Sequence, residues 1–133
     1  MSLVAAVIVV AFGLILLAFA VVAFARPAIA QRLLMPFASS ARAHYVEQVC
    51  RLLIGAALVV LSPAMWQPNF FWLAGWAIII SSAALMCAPW QWHQRFGERI
   101  RPMFFRYLKL YAVGSLAFGV LLLYGVFAGV GAA

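Results

Sequence analysis

The sequence contains very few charged side chains and almost no acidic ones. Only 8% of its 133 residues are charged, there is no Asp, no Thr and a single Lys, and the only carboxylates are Glu47 and Glu98. A soluble domain usually has about a quarter of its residues charged, so this composition excludes an ordinary soluble fold. The shortage of carboxylates also removes most of the side chains used for acid–base catalysis and metal binding.

Long apolar runs take the place of the missing charge. Hydrophobic residues make up 69% of the chain, and its mean hydropathy is +1.13. About 20 apolar residues suffice for one membrane-spanning helix, and four such runs lie at about 3–25, 41–66, 70–88 and 110–131. We therefore predict an all-α polytopic membrane protein, a single domain over 1–133, with loops at 26–40 and 89–109.

Local signals indicate where these helices begin and end. Pro36 is expected to break the segment after the first span, and Ser39 or Ser40 is expected to cap the second helix, since serine is a favoured N-cap residue. Asn69, another favoured N-cap type, is the predicted start of the third span. Arg51 interrupts the second apolar run, and we expect its long side chain to reach back to the membrane surface.

The basic residues are concentrated in two parts of the chain. All nine lie between the first two apolar cores or between the last two: Arg26, Arg32, Arg42, Arg51, Arg95, Arg99, Arg101, Arg106 and Lys109. Loops rich in Lys and Arg face the cytoplasm. The sequence therefore predicts a multi-pass protein of the bacterial inner membrane, with both basic segments cytoplasmic and both termini periplasmic.

The two halves of the chain show a weak internal similarity. Gln31 and Arg32 in the first basic segment correspond to Gln94 and Arg95 in the second. This favours two hairpin-like halves, spans one and two followed by spans three and four, and suggests a parallel pseudo-repeat about an axis along the membrane normal.

The second basic segment is a candidate surface for anionic lipid head groups. Each Lys or Arg near a charged leaflet contributes about 1 kcal/mol of attraction. The residues predicted to contact lipid are Arg95, Arg99, Arg101, Arg106 and Lys109. Nucleic acid is not a predicted partner, because these residues follow a membrane boundary and no soluble fold presents them.

The last span carries small residues at helical spacing. Ser115 and Gly119, and then Gly125 and Gly129, are four residues apart, a spacing that allows membrane helices to approach closely. We expect these four positions to pack inside the bundle, with a homo-oligomer or a membrane-protein partner as the alternative contact.

The residues able to carry chemistry are few. His44 and Glu47 share a helical face, but four-helix metal sites of this type use about four carboxylates. A haem would need His44 and His93 to face each other inside the bundle, whereas both are expected at the interface. Ser81 is expected to lie mid-span with no ionisable neighbour. We predict no catalytic, cofactor or metal residues and no enzymatic activity.

These observations favour a non-catalytic role. The chain is predicted to act as a scaffold, an accessory subunit or a lipid-associated partner of a membrane assembly. The alternative is a homo-oligomeric passive channel or carrier for a small or apolar solute, because one four-helix bundle has little room for a pore.

Overall fold

The computed structural model describes residues 2–34 and 40–132. These residues form six α-helices: α1 Leu3–Ala25, α2 Pro27–Leu34, α3 Ala41–Leu61, α4 Pro68–Cys87, α5 Trp90–Arg106 and α6 Leu108–Ala132. A short 3-10 turn, Ser62–Ala64, follows α3. The predicted helix break at Pro36 and the candidate cap at Ser39 lie outside the described residues.

Four of the helices are long and apolar enough to cross a membrane, which confirms the predicted all-helical fold with four candidate spans. They cover Leu3–Ala25, Ala41–Ala64, Pro68–Cys87 and Leu108–Gly129. Between 17% and 33% of each apolar window is buried within the protein. Much of the remainder of each window is therefore apolar surface of the kind that lipid solvates.

The predicted N-cap residue is confirmed at the start of α3 and is wrong at the start of α4. Ser40 caps α3, its Oγ accepting from the N–H of Ala43 at 3.1 Å. Asn69 is not the cap of α4, because the helix already begins at Pro68, behind Gln67 in the left-handed conformation with φ of 57°. Proline is favoured at the first helical position because its missing N–H needs no partner there.

The two basic segments predicted as loops are largely helical among the described residues. α2 follows α1 after Arg26, and α5 occupies 17 of the residues between α4 and α6. Both are short amphipathic helices in which apolar and polar side chains separate onto different faces. Charge density indicated an extramembrane location, but it did not reveal this periodicity, which is typical of helices lying along a membrane surface.

The principal packing partners are α3 with α4 and α1 with α6, and α1 also contacts α3. Both main pairs are antiparallel. The contacts therefore do not follow the predicted grouping of spans one and two, and of spans three and four, into separate halves. We call the end of the bundle that carries the 3-10 turn the turn end, and the end that carries α2 and α5 the basic end.

Small residues make up much of the buried core. The larger cluster lies toward the turn end and contains Ala5, Ala6, Val9, Ala57, Leu58, Leu61, Met65, Phe71, Leu122 and Val126. A smaller cluster at the basic end contains Ala23, Ala30, Leu108 and Ala112. Small side chains allow helix axes to approach closely, which is how membrane helices gain van der Waals contact without a hydrophobic driving force.

Two glycine pairs mark close approaches between the long helices. In the α3–α4 pair, a Cβ added to Gly55 would lie 2.9 Å from the carbonyl oxygen of Gly75. In the α1–α6 pair, a Cβ added to Gly119 would lie 3.0 Å from the carbonyl oxygen of Gly13. Each crossing therefore brings backbone against backbone, and a side chain at either position would separate the helices.

The remaining small residues of α6 also make contacts within the chain. Ser115 Oγ donates to the carbonyl oxygen of Leu16 at 2.8 Å. A Cβ on Gly125 would lie 2.6 Å from the ring of Phe71, and one on Gly129 would collide with the carbonyl oxygen of Ala64. Together with Gly119, these residues line the side of α6 that faces α1 and the turn end.

Replacing Gly125 and Gly129 together with leucine is expected to lower the free energy of unfolding by about 1–3 kcal/mol, the usual range for overpacking. Phe71 and the backbone at Ala64 would have to move aside. The first clash is with a side chain and the second is with the short 3-10 turn, and both can shift without separating two long helices, so the loss stays moderate. Unfolding in mixed detergent micelles measures it, and unchanged stability would show that these contacts are absent.

Candidate functional site

Polar side chains extend along one face of α3 from the basic end into the bundle. His44, Gln48 and Arg51 follow one another at spacings of four and three residues, so they share a helical face over about 10 Å. His44 and Gln48 are fully buried, with 0% exposure. We call these three residues the polar stripe. It faces α4 and the start of α5, and it is the densest group of buried polar side chains among the described residues.

Both ring nitrogens of His44 are engaged. Nε2 lies 3.0 Å from the carbonyl oxygen of Leu85 on α4, and Nδ1 lies 2.8 Å from Nδ1 of His93 on α5. Because a carbonyl can only accept, Nε2 of His44 carries a proton and donates it. In the neutral pair, Nδ1 of His44 therefore accepts, and Nδ1 of His93 donates.

Pro89 explains why the Leu85 carbonyl is free to accept this bond. In a continuing helix, that oxygen would accept from the N–H four residues later, and proline has none. His44 supplies the missing donor from the neighbouring helix. One imidazole thus completes the end of α4 with one nitrogen and joins α5 with the other.

Arg51 points between α3 and α4 and does not follow the predicted path to the surface. Its Nη2 donates to Ser81 Oγ at 2.9 Å, and the same hydroxyl donates to the carbonyl oxygen of Ile78 at 3.0 Å. The expectation that Ser81 has no ionisable neighbour was therefore wrong. The sequence places Arg51 and Ser81 on separate helices, and only the antiparallel register brings them together.

Three polar side chains in or beside the polar stripe have buried atoms without a hydrogen-bond partner among the described residues. They are both amide atoms of Gln48, Ser82 Oγ and Glu47 Oε2. The contact of His44 with Leu85 and the crossing of Gly55 with Gly75 fix the register, so Gln48 and Ser82 lie at the same level of the helix pair. A buried amide without partners is unfavourable by several kcal/mol in an apolar environment.

The electrostatic surroundings of His93 favour its neutral form. Burial has the largest effect and lowers the pKa of His93 below its ordinary value, and the positive charge of Arg51 and the neighbouring His44 act in the same direction. Glu47 opposes them and raises the pKa. The net result is a lowered pKa, which keeps the two imidazoles in the neutral arrangement with one N–H···N hydrogen bond.

The histidine pair does not fit the metal chemistry weighed from sequence. The two imidazoles do face each other, contrary to expectation, but axial nitrogens on one metal would lie about 4 Å apart, and these lie 2.8 Å apart. Among the described residues, no group of three or more His, Cys, Asp or Glu side chains is placed to hold a metal ion. The geometry is that of a hydrogen-bonded pair.

A second polar surface lies on the outside of α5. Arg95, Arg99 and Arg106 share one face, and beside it Trp92 and Phe96 are 64% and 59% exposed. An open pocket of about 410 Å³ is lined by Trp92, Arg95, Phe96 and Arg99. We call these four residues the cationic–aromatic surface. α5 has no fully buried residue, so much of its apolar side remains exposed.

The other residues predicted to contact lipid lie apart from this surface. Arg101 is half-buried on a different face of α5, and Lys109 is exposed near the start of α6. The structure thus divides the five basic residues into a group of three along one helical face and two separate positions. The three arginines share a face because of their helical spacing. This grouping could have been predicted if the segment had been predicted as a helix.

Comparisons with known proteins give no further guide to function. No protein-family model, no curated protein and no solved structure matches this chain.

Proposed function

We propose that this chain is a non-catalytic integral protein of the bacterial inner membrane that binds anionic phospholipid head groups through α5. The observation that carries the proposal is the cationic–aromatic surface: two arginines and two aromatic rings, exposed together around one pocket. Guanidinium groups recognise phosphate oxygens through paired N–H donors, and aromatic side chains favour the head-group region of a bilayer.

The surroundings of that surface suit a lipid. Met103 continues the exposed apolar side of α5 and is 53% exposed, so acyl chains and phosphates would meet adjacent faces of one helix. Interfacial helices have this arrangement of apolar and basic faces. Glu98 is the only acidic residue on α5, so the helix keeps a strong positive charge.

The proposed orientation places the basic end in the cytoplasm and both termini in the periplasm. Its support is the distribution of the nine basic residues along the chain, since positively charged segments remain on the cytoplasmic side. The cytoplasmic leaflet also contains the anionic lipids that such a surface attracts. Orientation and lipid preference therefore point to the same face.

A scaffold or accessory role would use surfaces other than the small residues of α6. Gly119 and Gly125 already contact α1 and the turn end, so a partner protein or a second copy would bind elsewhere on the apolar surface. The alternative of a homo-oligomeric channel would likewise place its pore between copies, because the polar stripe ends near the close crossing of Gly55 and Gly75 within one bundle.

Replacing Arg95 and Arg99 with glutamine is expected to weaken phosphatidylglycerol binding about thirty-fold. Two arginines near a charged head group contribute about 2 kcal/mol, and each 1.4 kcal/mol changes affinity tenfold. The measurement is native mass spectrometry of the detergent-solubilised protein titrated with phosphatidylglycerol, with phosphatidylcholine as the reference lipid.

The matched control replaces Arg32 and Arg42 with glutamine, which removes the same charge outside α5. The affinity for phosphatidylglycerol should then stay within about threefold of that of the unmodified protein, because this variant leaves the cationic–aromatic surface and its pocket intact. Equal weakening in both double variants would mean that net charge, not the cationic–aromatic surface, attracts the lipid. Solute flux through a symmetric homo-oligomer in liposomes would support the channel alternative.

A further inference from the structure

α5 is joined to the bundle at two places along its length. Near its carboxyl end, Phe104 packs on the small cluster at the basic end and stacks on Tyr111, with ring centroids 4.1 Å apart. Near its amino end, the contact is His93 with His44. Among the described residues, this is the only side-chain hydrogen bond between α5 and the rest of the bundle. The imidazole pair is therefore the polar contact that holds the amino-terminal half of α5 against α3, beside the short link to α4 through Ala88 and Pro89.

The number of protons on the pair decides whether that bond exists. The neutral pair has one N–H between the two Nδ1 atoms, and one added proton can still leave a single proton between them. A second added proton places N–H groups on both Nδ1 atoms, so neither can accept. The hydrogen bond is then replaced by repulsion between two imidazolium rings.

Few charged groups act on this pair. Glu47 and Arg51 of α3 both influence His93, and α4 has no charged side chain of its own. The negative charge of Glu47 favours protonation, whereas Arg51 and burial oppose it. Glu47 and Arg51 therefore shift the pKa of His93 in opposite directions.

We propose that His44 and His93 form a proton-operated latch, which holds the amino-terminal half of α5 against α3 and releases it when both imidazoles are protonated. The released half carries the cationic–aromatic surface. Release would therefore change how that surface meets the membrane, and this consequence alone depends on the proposed lipid-binding function. The latch itself depends only on the imidazole geometry.

The direction of the pH dependence follows from the lowered pKa of His93. We call α5 docked when its amino-terminal half is held against α3. In the docked state the pKa of His93 is lowered, so His93 binds protons less readily than after release. Docking is therefore strongest above about pH 6.5, the ordinary pKa of histidine. Docking weakens as the pH falls below that value, by up to about tenfold per pH unit as His93 takes up its proton.

The test measures the position of α5 in the full-length protein. Cys50 and Cys87, both exposed, are replaced with serine, and spin labels are attached at Gln91 and Val60. Distances are measured by double electron–electron resonance in nanodiscs of zwitterionic lipid at pH 7.5 and pH 4.5. We expect one narrow distance at pH 7.5 and a broad, shifted distribution at pH 4.5. An unchanged narrow distribution at pH 4.5 would overturn the latch.

Variants at His93 separate the hydrogen bond from its protonation. Asparagine places an amide near the position of Nδ1 and can donate to or accept from His44, so His93→Asn should remain docked at both pH values. His93→Ala should be released at both. If His93→Asn responds to pH as the unmodified protein does, another group is the switch. Zwitterionic nanodiscs contain no anionic lipid, so these results test the latch separately from the proposed lipid binding.

One further variant tests the electrostatic account. Glu47→Gln removes the group that raises the pKa of His93, so release should require a lower pH than in the unmodified protein. Release at a higher pH, or no change, would contradict this assignment of Glu47.

Discussion

Replacement of Gly55 with leucine is expected to lower the free energy of unfolding by about 3 kcal/mol or more, at the upper end of the overpacking range. A Cβ at this position would lie 2.8 Å from Ile79 and 2.9 Å from the carbonyl oxygen of Gly75. The second of these atoms belongs to the backbone, so a rotamer change cannot make room. Because the crossing lies within both helices, away from their ends, relief requires α3 and α4 to separate.

The matched control is Gly114→Leu, since no heavy atom lies within 4 Å of a Cβ added there. Stability should be unchanged or slightly higher in this control, because leucine is a better helix former than glycine. Circular dichroism during titration with sodium dodecyl sulfate measures both variants in mixed micelles. If Gly55→Leu behaves like Gly114→Leu, the helices do not approach each other as closely as described.

The four long apolar helices could be predicted because a helix able to cross a membrane is recognised from its local composition alone. Each run between Leu3 and the end of α6 needs only length and apolarity to be recognised. The cap at Ser40 is also local, since a serine before a periodic apolar segment satisfies a free N–H of the helix that follows. Such features require no knowledge of which helices are neighbours.

The start of α4 shows where local reasoning stops. Asn69 is a better N-cap type than Gln67, yet the helix begins at Pro68 behind a left-handed Gln67. The adjacent N–H of Trp66 donates to the carbonyl oxygen of Gly125 at 2.9 Å. A tertiary contact with α6 thus helps to fix the turn, and no propensity scale includes it.

The polar site could not be predicted because its members come from three helices. His44 and His93 are 49 residues apart, and Arg51 and Ser81 are 30 apart. The sequence placed His44 and His93 near the membrane interface and Ser81 mid-span, but it gave no register between α3, α4 and α5. One signal was available: Pro89 leaves the carbonyl of Leu85 without its helical donor, which calls for a donor from elsewhere.

Replacing Gln48 with methionine and Ser82 with alanine is expected to raise the free energy of unfolding by about 2–4 kcal/mol. Each removes a fully buried polar group that has no partner among the described residues, and each such group costs about 1–3 kcal/mol. Methionine also has nearly the volume and flexibility of glutamine, so the core need not rearrange. The same detergent titration measures the gain.

The exposed residue Gln91 supplies the control, because Gln91→Met leaves the buried interface unchanged and should shift stability by less than about 0.5 kcal/mol. If the free energy of unfolding rises in the Gln48 and Ser82 variant but not in the control, the bundle keeps polar side chains between α3 and α4 at a cost in stability. Natural proteins do so where a site has a function. A loss would show that these side chains are hydrogen-bonded in the membrane, and that the stripe strengthens the helix pair.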